Sequence, residues 1–194
     1  THKHTHKRVR AYARAHAQSV RCIRNGDVHV RVYQPMHNLV YAIRSCKQVI
    51  ADSGNHCIRI ISLSHKDHSV ATLAGSGTSG AQDGIGTSAS FNRPTGIALD
   101  PAGTLLVVAD SGNHRLRVLD LSNGAVSTLA GSVEGFADGA ASEALFSNPL
   151  SVAAVRDTSM FANFLLVVAD AGNGKLRAVD FRRRAVATLP LSEQ

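Results

Sequence analysis

Three stretches of the chain share one pattern of apolar and polar positions. Residues 49–60 read VIADSGNHCIRI, 107–118 read VVADSGNHRLRV and 167–178 read VVADAGNGKLRA. In each, a run of β-branched residues stops at an Asp, crosses a Gly-Asn segment, and resumes as strict alternation. Continuous apolar runs of this length predict strands covered on both faces, and alternation predicts strands with two distinct faces. Around the middle copy the whole unit is legible. PTGIALD (94–100) is a first strand, closed by the turn residues Pro101-Ala102-Gly103. TLLVVAD (104–110) is a second, and Ser111-Gly112-Asn113 reverses the chain, with Gly free to take positive φ. RLRVLDL (115–121) is a third strand, which sets Leu116 and Val118 on one face and Arg115 and Arg117 on the other. Asn123-Gly124 is a hairpin signal, and AVSTLAG (125–131) is the fourth strand.

The unit recurs at a fixed period. Asp52, Asp110 and Asp170 head the three copies, and VATLAG (70–75), VSTLAG (126–131) and VATLPL (186–191) follow them. The linkers agree as well: Ala89, Phe91 and Pro94 follow Asp83-Gly84 at the same offsets as Ala144, Phe146 and Pro149 follow Asp138-Gly139. Four antiparallel strands per copy, stacked copy on copy, predict an all-β chain: a partial β-propeller of about three four-stranded antiparallel blades. Residues 35–75 form a degenerate first blade, in which NLVYAIR (38–44) is the candidate inner strand but the Gly-Ile-Ala element is missing. Residues 76–131 form a second blade with its preceding linker, and 132–191 a third with its own. Residues 1–34 are expected to be a basic, poorly structured low-complexity tail, in which VRCIRNGDVHVRVY (20–33) can turn as a hairpin at Asn25-Gly26.

With these residues the chain resembles the NHL repeat family, whose hallmark is similar to P-x-G-I-A-x-D-x-x-G-x-L-x-V-A-D-S-G-N-H-R-I-R followed by a TLAG-like strand. Residues 94–131 match it, residues 149–189 match with RDTSMFAN (156–163) inserted between the first two strands, and 49–75 match the later strands of a third blade. The resemblance implies a propeller that often closes with six blades and acts as a protein-interaction module. Some members of the family bind single-stranded RNA on one face. Some six-bladed propellers are instead enzymes, lyases or lactonases among them, whose ligands and catalytic groups line the central channel. Three blades leave an open ring with an apolar face at each end, so the chain is expected to be a piece of a longer protein, or to associate with itself through its open blade edges. The start at Thr1 in place of Met is expected of a fragment or of a misassigned start, and the basic tail is expected of a mispredicted segment.

The recurrent turn is read as structural. It comprises Asp52, Gly54, Asn55 and His56; Asp110, Gly112, Asn113 and His114; and Asp170, Gly172 and Asn173. Its Asp is expected to accept backbone N–H groups of the turn, and Gly174 stands where the third His would be, which argues against a metal or ligand site. Arg59, Arg115, Arg117, Lys175 and Arg177 recur on the third strands, and Arg182-Arg183-Arg184 adds a basic turn. Together they are candidates for a basic partner-binding stripe, alongside the plain reading of a solvated polar face; an RNA reading predicts that charge reversal at Arg115 or Arg117 weakens binding.

Charge narrows the partners. Residues 1–48 hold ten Lys or Arg and one acid, Asp27, whereas residues 49–194 hold eleven Lys or Arg and thirteen acids. The repeat body is therefore near neutral and, at 5% aromatic residues, poor in stacking groups, which favours a protein partner over RNA. Lys3, Lys7, Arg8, Arg10 and Arg14 could hold phosphates unspecifically, and His2, His4 and His6 alternate as a loose metal-binding pattern would, but a tail is the simpler account. Cys22, Cys46 and Cys57 show no CxxC spacing, so neither a disulfide scaffold nor a Cys-based zinc site is expected, and an intracellular setting is slightly favoured. No apolar run is long enough to span a membrane, and no G-x-S-x-G, H-E-x-x-H or P-loop appears. GSGTSGAQDG (75–84) is glycine-rich but lies between blades. Asp100 is the only carboxylate of the inner strands, and no inward set of His and carboxylate is present. The expectation is a non-enzymatic scaffold without cofactor, metal or catalytic residues. The alternatives are an RNA-binding module and a fragment of a propeller enzyme.

Overall fold

The computed structural model describes residues 42–44, 47–62, 69–156 and 164–190. The N-terminal tail, its candidate hairpin, Cys22, Cys46 and the His and Lys-Arg clusters lie outside them. The described residues form three antiparallel sheets and only single-turn helices. The first blade holds β1 (Ala42–Arg44), β2 (Lys47–Asp52), β3 (Cys57–Ser62) and β4 (Val70–Ala74), hydrogen-bonded in that order. The second holds β5 (Gly84–Ile85), β6 (Pro94–Leu99), β7 (Leu105–Asp110), β8 (Arg115–Asp120) and β9 (Ala125–Ala130). The third repeats it with β10 (Gly139–Ala140), β11 (Pro149–Arg156), β12 (Phe164–Asp170), β13 (Lys175–Asp180) and β14 (Ala185–Thr188). The fold is the expected all-β partial propeller with one addition. Each linker contributes a two-residue strand to the outer edge of its blade, Gly84–Ile85 on β9 and Gly139–Ala140 on β14, so the sheets order as β5-β9-β8-β7-β6 and β10-β14-β13-β12-β11.

Stacking buries both faces of the middle sheet. Leu106, Val108, Leu119 and Val126 pack towards the first blade, against Val49, Ala51, Ile58 and Ala74. Val107, Ala109, Leu116 and Val118 pack towards the third, against Val152, Phe164, Leu166, Val168 and Val179. The period-2 geometry of a strand explains the split, because neighbouring residues must feed opposite interfaces. Phe91 and Phe146, at matching places in the two linkers, are fully buried and plug the gap in front of each sheet. The inner strands converge so closely that a Cβ built on Gly96 of β6 would stand 2.7 Å from Ser151 Cα and 2.8 Å from the Leu150 carbonyl on β11. That contact explains the Gly in the PTGIALD strand.

The turns close locally. Asp100, nearly buried, accepts the amides of Ala102, Thr104 and Leu105 and so ties off the β6–β7 hairpin with Gly103 at φ 68°. The one carboxylate of the inner strands is thus engaged by its own turn. Cys57 is a buried free thiol, and loss of solvent, added to the nearby Asp52 charge and opposed by Arg59, pushes it up to about 11.

Candidate functional site

The recurrent phrase folds as a short 3-10 turn ending in a left-handed residue. Ser53–Asn55, Ser111–Asn113 and Ala171–Asn173 form the turns, and His56, His114 and Gly174 follow at φ 52°, 56° and 59°. Gly at the third site takes this conformation without a steric cost, whereas His pays for it and needs a compensating contact.

The acidic end of the turn faces inward. Asp110 is fully buried; its Oδ1 accepts the Asn92 amide at 2.7 Å, while its Oδ2 accepts Asn113 Nδ2 at 2.7 Å and Arg117 Nη1 at 3.0 Å. Asp170 repeats the arrangement with the Ser147 amide at 2.8 Å, Asn173 Nδ2 at 2.8 Å and Arg177 Nη1 at 2.8 Å. The amides bonded by these carboxylates belong to the segment that enters the blade and not, as the sequence suggested, to the turn itself. Burial pushes the Asp110 carboxyl up from its ordinary range, against the opposing pull of Asn113, the Asn92 amide and Arg117.

The arginine seven residues after each Asp completes a lock on the linker. Arg117 donates to Asp83 at 2.7 Å and to the carbonyls of Ser90 and Gln82 at 3.0 and 2.9 Å, with its guanidinium 5.2 Å from the Phe91 ring centroid. Arg177 donates to Asp138 at 2.6 Å and to the carbonyls of Leu145 and Ala137, and lies over the rings of Phe136 and Phe146. Asp83 and Asp138 then accept the backbone amides of Thr128 and Thr188, which ties the linker to the outer strand. At Asp138 the loss of solvent is outweighed by the Thr188 amide and hydroxyl and by Arg177, and its carboxyl lies below the ordinary range. The first blade carries a looser copy: Arg59 Nε meets Asp52 at 3.1 Å with both side chains about a third exposed.

Two other members of the turn reach forward to the next blade. Ser53 Oγ donates to the Pro94 carbonyl, and Ser111 Oγ donates to the Pro149 carbonyl at 2.5 Å. His56 Nδ1 accepts the Arg93 amide and His114 Nδ1 the Asn148 amide, both at 3.0 Å. The accepting Nδ1 places the imidazole proton on Nε2. The phrase therefore divides into an inward set (Asp, Asn and the later Arg) and a forward set (Ser and His). The third copy keeps the first as Asp170, Asn173 and Arg177 and replaces the second by Ala171 and Gly174. Gly54 lies with open space around its Cβ position, whereas Cβ atoms on Gly112 and Gly172 would strike Asn92 and Ser147.

The recurrent basic residues do not make one stripe. Arg117 and Arg177 are fully buried, because the face of β8 and β13 opposite Leu116 and Leu176 is covered by the returning linker. A charge reversal at Arg117 would thus report on folding and not on RNA. Arg115 donates to the Asn113 and Ser132 carbonyls, Lys175 is exposed, and Arg182, Arg183 and Arg184 are exposed on the β13–β14 turn. Among the described residues no group of three His, Cys, Asp or Glu is placed to hold a metal ion, and no helix is long and apolar enough to cross a membrane. Asp83, Asp138, Ser53 and Ser111 were not singled out from sequence as contacts. The signal was present in the seven-residue Asp-to-Arg spacing, which holds in all three copies, and in the Asp-Gly that precedes Phe91 and Phe146.

Comparison with known proteins agrees with this geometry. The NHL repeat family model matches residues 91–119, from the Phe plug through the third strand. The human protein NHL repeat-containing protein 2 is 30% identical over 151 residues, covering 73% of this chain and 20% of that protein. The Arabidopsis thaliana protein SUPPRESSOR OF QUENCHING 1, chloroplastic, is 46% identical over 63 residues, covering 32% of this chain and 6% of its own length. The chain thus spans a fifth or less of these curated relatives. Among solved structures, an auxiliary nutrient binding protein from Bacteroides ovatus superposes with a TM-score of 0.58 at 24% identity, over 75% of this chain and 36% of that one. A putative phosphatase from Bacteroides thetaiotaomicron gives 0.58 at 19% identity, over 83% and 36%. At such identities these two structures speak to the fold alone.

Proposed function

We propose, for a chain that belongs to the NHL-repeat proteins and folds as β-propeller blades, that it serves as a non-enzymatic scaffold for binding another protein. One observation carries the reading. The titratable groups that recur from blade to blade are taken up by the framework: Asp110 and Asp170 by Arg117 and Arg177, and those arginines by Asp83 and Asp138, tie each blade to its own linker, while His56 and His114 hold backbone amides of the next blade. Groups whose carboxylate oxygens, guanidinium Nη atoms and imidazole Nδ1 are taken up by the framework are poorly suited to exchange protons or bind substrate. What varies between blades is the surface of turns and linkers, and variable surface on a rigid frame is where recognition sites are carried. The near-neutral repeat body, poor in aromatic residues, supports a protein partner over RNA.

The test is direct binding by the purified chain. A crosslinked protein partner, purified and titrated by calorimetry, should bind saturably at about one to one. Saturable binding of oligo-uridine RNA that collapses with added salt, in place of a protein ligand, would transfer the role to the RNA reading. Turnover of a lactone or phosphate-ester substrate by the chain would end the scaffold reading.

A further inference from the structure

The two described blade junctions are built alike, and at one place they differ sharply. At the first junction the Gly86 amide donates to the Gly124 carbonyl at 2.9 Å, and Gly124 closes the Leu121-Ser122-Asn123-Gly124 turn at φ 77°. At the second, the Ala141 amide donates to the Arg184 carbonyl at 2.7 Å, and the turn reads Phe181-Arg182-Arg183-Arg184 with Arg184 at φ 51°. A neutral turn ending in Gly has been replaced by three consecutive arginines, the last in a conformation that favours Gly. The exchange is costly for folding, because a side chain in the left-handed region is strained and three like charges repel, and against this Arg184 gains one long hydrogen bond to the second blade. Asp180 balances part of the charge, accepting the Arg182 and Arg183 amides at 3.0 and 2.8 Å and standing 3.8 Å from Arg183 Nε. The other acids of this region are Glu143, exposed beside the groove, and Asp138, which is engaged by Arg177 and Thr188.

Beside this turn an open groove of about 470 Å³ runs between the second and third blades, lined by Thr128, Leu129, Gly131, Ser142, Arg183 and Arg184 among others. Its rim presents two guanidinium groups and the Ser142 hydroxyl over a short apolar floor, the Thr128 hydroxyl being donated to Asp83. Arg184 reaches across it with one long hydrogen bond of 3.3 Å to the Leu129 carbonyl, and the Arg183 side chain is 74% exposed, so most of their donors face the groove or solvent. We infer that this groove binds an acidic peptide segment of a partner protein, its carboxylates taken by Arg183 and Arg184 in forked hydrogen bonds and its backbone by Ser142. A nucleic acid is the poorer fit. No aromatic ring lines the groove, and neighbouring Phe181 is already stacked on Phe164 with centroids 4.8 Å apart. The inference rests on the scaffold reading and names a site for it.

Arg184→Gly restores the residue that the equivalent turn uses and relieves the left-handed side chain at the loss of one long hydrogen bond to Leu129, so peptide affinity read beside melting temperature separates binding from structure. Anisotropy of a fluorescein-labelled oligoglutamate peptide with the full chain should show saturable, salt-sensitive binding. Arg184→Gly should weaken it by about fivefold and Arg183→Glu with Arg184→Gly by more than about tenfold, as expected for losing one and then two partly exposed charge pairs. The melting temperature of Arg184→Gly should meanwhile hold or rise. Equal peptide affinity in wild type and the double variant, or oligo-uridine RNA bound more tightly than the peptide, overturns the inference. A protein partner that binds wild type and double variant alike removes the groove and leaves the scaffold reading standing. Absence of any protein ligand removes the scaffold reading itself.

Discussion

Replacing the same repeat arginine by methionine in each of the three blades should produce very unequal losses. Arg117 and its partner Asp110 have no exposed side-chain surface, whereas its second partner, Asp83, is 52% exposed. Arg117→Met leaves the Asp110 carboxylate buried without its counter-charge, at about 3–5 kcal/mol for a broken buried pair. Water can replace Arg117 at Asp83, so that contact adds on the order of 0–1 kcal/mol. The expected loss is about 4 kcal/mol, or roughly 12 °C in melting temperature for a body of this size. Arg177→Met should match it, since Arg177 and Asp170 are buried to the same extent and Asp138 is again the partly exposed partner. Arg59→Met should cost only about 1 kcal/mol, because Arg59 and Asp52 remain 32% and 28% exposed and solvent screens them. Urea unfolding followed by far-ultraviolet circular dichroism measures all three. Adding Asp110→Asn to Arg117→Met should recover part of the loss by removing the stranded charge. The reasoning fails if Arg59→Met costs as much as Arg117→Met, or if Arg117→Met costs less than about 1 kcal/mol.

Glycines at one repeat position should also separate: Gly112→Ala, whose Cβ would lie 2.7 Å from the Asn92 side chain and 2.8 Å from its carbonyl, should lose about 1–3 kcal/mol in the same urea assay, and Gly54→Ala, with open space, close to nothing. His114→Ala should cost about 1 kcal/mol by freeing the Asn148 amide, and His114→Asn should recover most of it because Oδ1 can accept where Nδ1 does; equal losses would refute the staple. The depressed carboxyl of Asp138 fixes the sign of an acid effect. A group whose folded value lies below its unfolded 3.8 contributes stability that is present above pH 3.8 and is lost as pH falls through the folded value. The stability gap between wild type and Asp138→Asn should thus be flat above about pH 4 and shrink below it, as pH-dependent urea midpoints would show.

Strands, turns and the stacking of like units were legible because their causes are local. Alternation of Leu116 and Val118 with Arg115 and Arg117, the Asn123-Gly124 hairpin and the Asp-Gly to Phe spacing of the linkers act over a few residues, and a repeat writes them several times. The edge strands Gly84–Ile85 and Gly139–Ala140 escaped notice, since two residues carry no periodicity and exist only by pairing with β9 and β14. The meaning of the arginines was not local at all. Alternation places Arg117 opposite Leu116, but in a stacked sheet the opposite face is another interface and not solvent.

What the sequence determined alone was therefore which segments are strands and that the units must stack, because backbone preference and apolar periodicity are properties of neighbours along the chain. Tertiary structure decided which polar residues are framework and which are surface. Asp83 meets Arg117 across 34 residues, and Ser111 meets the Pro149 carbonyl across 38. It also set Arg183 and Arg184 beside a groove that only two packed blades can make. Burial and charge pairing depend on what comes back from far along the chain, and a linear pattern does not contain that distance.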